Sequence, residues 1–160
     1  RASRDEGEGG SILDFGLHGG VFDPKNQSGE IPQAMAEGVT SYKMFMTYAK
    51  LGWMTDDYQL MRTLDILGRA GGMGMVHAEN GLATDYLEDR ANAEKADPIR
   101  AFVETRPAIL EAEAVHRAVA MAQVAGCPIY IPHVSARLAL AEVAAARAKG
   151  FRVYGETCPQ

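Results

Sequence analysis

Two apolar runs of this chain each end on a histidine: Gly74-Met75-Val76-His77 and Pro128-Ile129-Tyr130-Ile131-Pro132-His133. A third, Val39 to Tyr48, carries a lysine at its middle, Lys43. Imidazole is the commonest metal ligand among side chains. Apolar runs of this length read as strands buried on both faces, the parallel-sheet type. A polar residue at the carboxyl end of such a strand stands where α/β barrels place their active sites. The pattern points to a metal site assembled from several strand ends, with part of that site missing from these 160 residues.

Strand alternation puts Lys43 on the same side as Ser41, Phe45 and Thr47. A lysine there must be paired, lie at an exposed edge, or be chemically altered, because burying a free ammonium is costly. One alteration is carbamylation by carbon dioxide. It needs the neutral amine, which burial favours, and its product carries a carboxylate able to bridge two cations. A lone strand-end histidine is more often a hydrogen-bonded structural residue, but two of them with Lys43 favour a shared site.

Other candidates read more plainly. His18 reads as a structural histidine, His116 as a residue on a solvated helix face, and Glu111 and Glu113 as helix-surface charges. Met44, Met46, Met73 and Met75 read as core filler. Gly71, Gly72 and Gly74 lack dinucleotide-fingerprint spacing and precede a strand. No nucleophile elbow or Walker motif is present.

Residues 1–10 are charged and glycine-rich and read as a disordered or non-native lead-in, leaving 11–160 as one domain. A strand is expected over Ile12 to Phe22, then a polar turn, then a short helix from Ile31 to Glu37 with Pro32 in its first turn. Val39 to Tyr48 is a strand. Thr55 can cap a helix over Asp56 to Ala70, which Gly71-Gly72 ends. Met73 to His77 is a strand, and Glu79 to Pro107 a long polar excursion with some helix. A helix follows over Glu111 to Ala125, then a strand from Pro128 to His133, a helix capped by Ser135 and running to Lys149, and a last strand from Arg152 to Glu156. The alternation β-α-β-α-β-α-β-α-β argues for a parallel sheet with right-handed crossovers.

The chain is short for a complete (β/α)₈ barrel, which typically needs roughly 250 residues. Its 47% apolar content fits a folded domain. A net charge of -5 without a basic stripe argues against a nucleic-acid partner. No run approaches a membrane span of roughly 20 apolar residues. Two cysteines, Cys127 and Cys158, are too few for a disulfide framework, and each reads as a small buried hydrophobe. A reduced, cytoplasmic setting is the default expectation.

Four segments together are similar to one family. Thr40-Ser41-Tyr42-Lys43-Met44-Phe45-Met46-Thr47-Tyr48 resembles the lysine-bearing strand of dihydropyrimidinases and D-hydantoinases, which are cyclic amidohydrolases. Met75-Val76-His77-Ala78-Glu79-Asn80-Gly81 and His133-Val134-Ser135 resemble their next metal-binding strands, and the ending from Val153 to Gln160 matches as well. The resemblance implies a TIM-barrel fold, of which this chain would be an internal piece holding about strands three to seven. It implies a carbamylated Lys43 bridging two zinc ions, with His77 and His133 binding one of them. Tyr48 matches the tyrosine that donates a hydrogen bond to the developing oxyanion.

The implied reaction is metal-assisted hydrolysis of a small cyclic amide, a hydantoin or dihydropyrimidine opened to an N-carbamoyl amino acid. The implied assembly is a homotetramer or dimer. The family's His-x-His pair and late metal-binding aspartate are not matched, so the chain alone is expected to be inactive. Allantoinases and dihydroorotases share the chemistry, and the Lys-Met-Phe-Met-x-Tyr pattern favours the hydantoinase branch. The rival from another class is a non-catalytic relative serving as an assembly protein.

Overall fold

In a computed structural model the chain is described over residues 2–159. Five strands, β1 (Gly19–Gly20), β2 (Ser41–Phe45), β3 (Met73–His77), β4 (Ile129–Ile131) and β5 (Val153–Gly155), form one sheet in the order of the sequence, every neighbouring pair parallel. With right-handed crossovers, sequential order puts every connection on the same side of the sheet. That is how a barrel is wound, whereas a doubly wound sheet reverses its strand order. The molecule is a partial (β/α) barrel, as the alternation and the resemblance implied.

The helices are α1 (Ala2–Gly10), α2 (Pro24–Gln27), α3 (Ile31–Ala36), α4 (Asp57–Ala70), α5 (Gly81–Ala93), α6 (Pro98–Glu104), α7 (Ala108–Val124) and α8 (Arg137–Ala148). The sheet face under them carries Tyr42, Met44, Val76, Ile129, Ile131 and Val153, all buried. Against it pack Leu60, Leu64 and Leu67 of α4, Val115 and Ala118 of α7, and Ala139 and Val143 of α8. The opposite face, with Ser41, Lys43, Phe45, Met73, Met75, His77 and Tyr130, is only half-buried. The expected burial on both faces thus holds for one face only. Met44 is core filler as read, while Met73 and Met75 sit on the half-exposed face.

Several expectations change in detail. The strand expected over Ile12 to Phe22 reduces to Gly19–Gly20, and Ile12 and Leu13 are 97% and 77% exposed, because no element covers them. Residues 2–10 form a helix with no buried residue, supported by an Arg4–Glu8 pair one turn apart; Arg1 and Gln160 lie outside the described residues. Asp56, not Thr55, caps α4, accepting from the backbone of Gln59 at 2.8 Å. A carboxylate is also favoured at the positive end of the helix. Ser135 does not cap α8, since its hydroxyl donates to the carbonyl of His133 at 2.8 Å. The polar excursion resolves into α5 and α6, capped by Asn80 and Asp97. Cys127 is buried as expected, but Cys158 is exposed. Among the described residues, no helix is long and apolar enough to cross a membrane.

Candidate metal and catalytic site

The site residues come from the middle of β2, the carboxyl end of β3 and the turns after β2 and β4. Lys43 is the third residue of β2, on the half-exposed face with Ser41 and Phe45 as alternation required. In register it aligns with Met75 of β3, and Phe45 aligns with His77. His77 closes β3. His133 lies two residues beyond β4, so it belongs to the following turn and not to the strand. Tyr48 likewise lies beyond β2.

Two of these residues hold left-handed backbone, Tyr48 at φ 68 and His133 at φ 45. A non-glycine residue in this region is uncommon, and such conformations gather at functional sites. Both turns are pinned. Around Tyr48, the amides of Leu51 and Trp53 donate to its carbonyl. After His133, Val134 N–H donates to Glu156 O and Ser135 N–H donates to Glu111 Oε1 at 2.8 Å. Glu111, read as a surface charge, therefore holds the histidine turn.

The fold brings three of the four residues into direct ring contact. The imidazoles of His77 and His133 meet edge to face with centroids 4.6 Å apart. The Tyr48 ring stands 5.2 Å from His77. Lys43 Nζ lies 5.6 Å from the Phe45 ring centroid, and Phe45 is 6.3 Å from His77. Phe22, Phe45 and Trp53 pack beside Tyr48 and make that side of the site apolar. A cavity of about 700 Å³ opens over Tyr48, His77 and His133, while Lys43 lies outside its lining.

Electrostatics follow from this geometry. Burial pushes the Lys43 amine down to about 8, because a poorly hydrated ammonium is disfavoured. His133 is held below the ordinary imidazole value, first by burial and then by the neighbouring charges of His77 and Lys43. Glu79 faces His77 Nε2 at 3.4 Å and Arg106 Nε at 3.6 Å. The hydrogen bond from His77 leads in holding its carboxyl below the usual range, against the opposing effect of burial.

Among the described residues, no group of three or more His, Cys, Asp or Glu side chains could hold a metal ion. The two imidazoles meet, and Lys43, whose neutral amine burial favours, lies on the same sheet face. Two neighbouring imidazoles are a donor pair that fits part of a metal centre.

The other sequence candidates fall elsewhere. His18 Nδ1 meets the Ser41 hydroxyl at 2.6 Å, a satisfied structural contact. His116 is exposed and pairs with Glu142 at 2.8 Å. Glu113 joins Asn80 and Arg117, tying the turn after β3 to α7. Sequence reasoning missed Glu79 and Arg106. The His77-x-Glu79 spacing was the available signal, since residues two apart across a turn can fold back on each other. Arg106 carries no such signal, because its neighbours there, Glu79 and Glu88, lie far from it along the chain.

No protein-family model matches the chain. It is 46% identical over 154 residues to a D-hydantoinase of Streptomyces coelicolor, covering 96% of this chain and 33% of that protein. It is 37% identical over 149 residues to an allantoinase of Rubrobacter xylanophilus, covering 92% of this chain and 32% of the relative. The crystal structure of a dihydropyrimidinase from Brevibacillus agri superposes with a TM-score of 0.89 at 41% identity, covering 99% of this chain and 35% of that one. The chain thus spans about a third of the length of the curated relatives it matches.

Proposed function

We propose, for a chain that belongs to the D-hydantoinase and dihydropyrimidinase family, that the protein carrying it hydrolyses a cyclic amide, opening a hydantoin or dihydropyrimidine ring to an N-carbamoyl amino acid. The observation that carries this reading is the meeting of His77 and His133 at 4.6 Å on the strand-end side of the sheet, with Lys43 on the same face. Lys43 as its carbamate would bridge two zinc ions, and His77 and His133 would hold one of them. When bound, that metal pair supplies Lewis acidity and lowers the pKa of water.

The chain's own residues do the rest. The Tyr48 hydroxyl donates to the oxygen of the ring carbonyl as negative charge develops there. The left-handed backbone at Tyr48, fixed by the Leu51 and Trp53 amides, turns the ring toward His77. Phe22, Phe45 and Trp53 pack beside Tyr48 and give that side of the ring an apolar neighbourhood. The likeness to an allantoinase supports a second substrate reading, hydrolysis of a ureido-substituted hydantoin by the same residues.

The test is a ring-opening assay on the protein carrying this sequence, with hydantoin, dihydrouracil and allantoin offered in parallel. The expected result is hydrolysis that a chelator abolishes and zinc restores. Folded protein that holds no metal and opens none of the three rings would favour the non-catalytic assembly relative.

A further inference from the structure

We infer that Glu79 is a positioning residue for His77, fixing which imidazole nitrogen is left to bind metal. This rests on the reading of His77 as a ligand. The two oxygens of the Glu79 carboxylate serve different partners: Oε2 faces His77 Nε2 at 3.4 Å and Oε1 faces Arg106 Nε at 3.6 Å. A carboxylate is acceptor-only, so the ring nitrogen facing it carries the hydrogen. Nδ1 then keeps the lone pair and is the nitrogen that would hold a metal.

Arg106 tethers the carboxylate to neighbouring helices. Its Nη2 pairs with Glu88 of α5, its Nη1 donates to Phe102 O at 3.1 Å, and its guanidinium stacks 4.2 Å over the Phe102 ring. Glu79 is therefore held by a side chain that is itself held by α5 and α6, and its own side chain is only 17% exposed. The two helices of the polar excursion thus reach the metal site through one guanidinium and one carboxylate. Carboxylates that hydrogen-bond a ligating histidine set its tautomer and ring orientation, and losing one typically weakens metal binding by about 10- to 100-fold.

The experiment compares the wild-type protein with Glu79→Gln, Glu79→Ala and His77→Ala by two readouts. The first is zinc affinity, measured by competition with a chromophoric chelator. The second is the nitrogen-15 spectrum of labelled histidine in metal-free protein, with the imidazoles neutral. Wild type is expected to show His77 protonated on Nε2. Glu79→Gln, whose amide oxygen still accepts, should keep that tautomer and most of the zinc affinity. Glu79→Ala should give a mixture of tautomers and lose about 10- to 100-fold in affinity.

A Glu79→Ala protein with wild-type affinity and an unchanged tautomer would overturn the proposal. So would a wild-type His77 protonated on Nδ1. If wild type itself takes up no zinc, or His77→Ala binds it as tightly, the ligand reading fails and takes this role with it. The tautomer still reports on the Glu79 contact in that case, which separates the two failures. Should Glu79→Ala not fold, a Glu79→Gln protein that loses the tautomer and the affinity together would count against a hydrogen-bonding role, since Gln retains the acceptor.

Discussion

Lys43, His77, His133 and Tyr48 have different legibility in the sequence, and the differences are physical. Lys43 and His77 interrupt or close apolar runs, so one-dimensional pattern alone marked them. His133 was found for the same reason but assigned to the strand, whereas its left-handed backbone places it in the turn beyond. The contact of Glu79 with His77 had a signal in their spacing, whereas that with Arg106 had none, because Arg106 arrives from another part of the chain.

Lys43→Ala should abolish the bridged metal pair and activity together, read by metal analysis and rate on the same sample; unchanged zinc and rate would remove Lys43 from the site. Tyr48→Phe should leave zinc content unchanged and lower kcat by about 10²- to 10³-fold, the usual effect of losing one oxyanion donor. A change in KM alone would instead make Tyr48 a ground-state contact.

At the scale of elements, strands and helices with strong internal signals came out close to expectation. β3 spans Met73–His77 as read, and α4 ends at Gly71, whose φ of 77 suits a residue without a side chain. The failure at β1 has a clear cause. The apolar residues Ile12 and Leu13 suggested a strand, but strand formation also needs a partner and a cover, and only Gly19 and Gly20 find a partner strand, β2. The excursion from Glu79 to Pro107 holds helix as expected, but the bounds of α5 and α6 were not legible because α5 buries little and its apolar periodicity is weak.

Leu64 of α4 is fully buried against the sheet, and Leu64→Ala should cost about 2–5 kcal/mol in denaturant unfolding. At Gly81 an added Cβ would stand 2.5 Å from Thr47 Cα and 2.8 Å from Met46 O, both backbone. Gly81→Ala should therefore push the turn that carries Tyr48, lowering kcat while zinc binding is retained. A wild-type rate would show that this turn tolerates displacement.

For the whole molecule, the order of elements was readable because alternation of strand and helix leaves few topologies open. What no single residue could reveal is that the sheet stays half-bare on its inner face, with Ser41, Lys43, Phe45 and Met75 only partly covered. In the described residues β1 and β5 each pair with one strand, and unpaired parallel edges invite association. The 160 residues alone are expected to associate with rising concentration in sedimentation, and, on the proposed reading of Lys43, His77 and His133 as ligands, to show no turnover.

Zinc content and the state of Lys43, determined together on the protein carrying this sequence and supplied with carbon-13 bicarbonate, decide whether the proposed metal site exists. The expected result is a zinc pair with a labelled carbamate on Lys43, both lost in Lys43→Ala. Folded protein with no zinc and an unmodified Lys43 amine would contradict it.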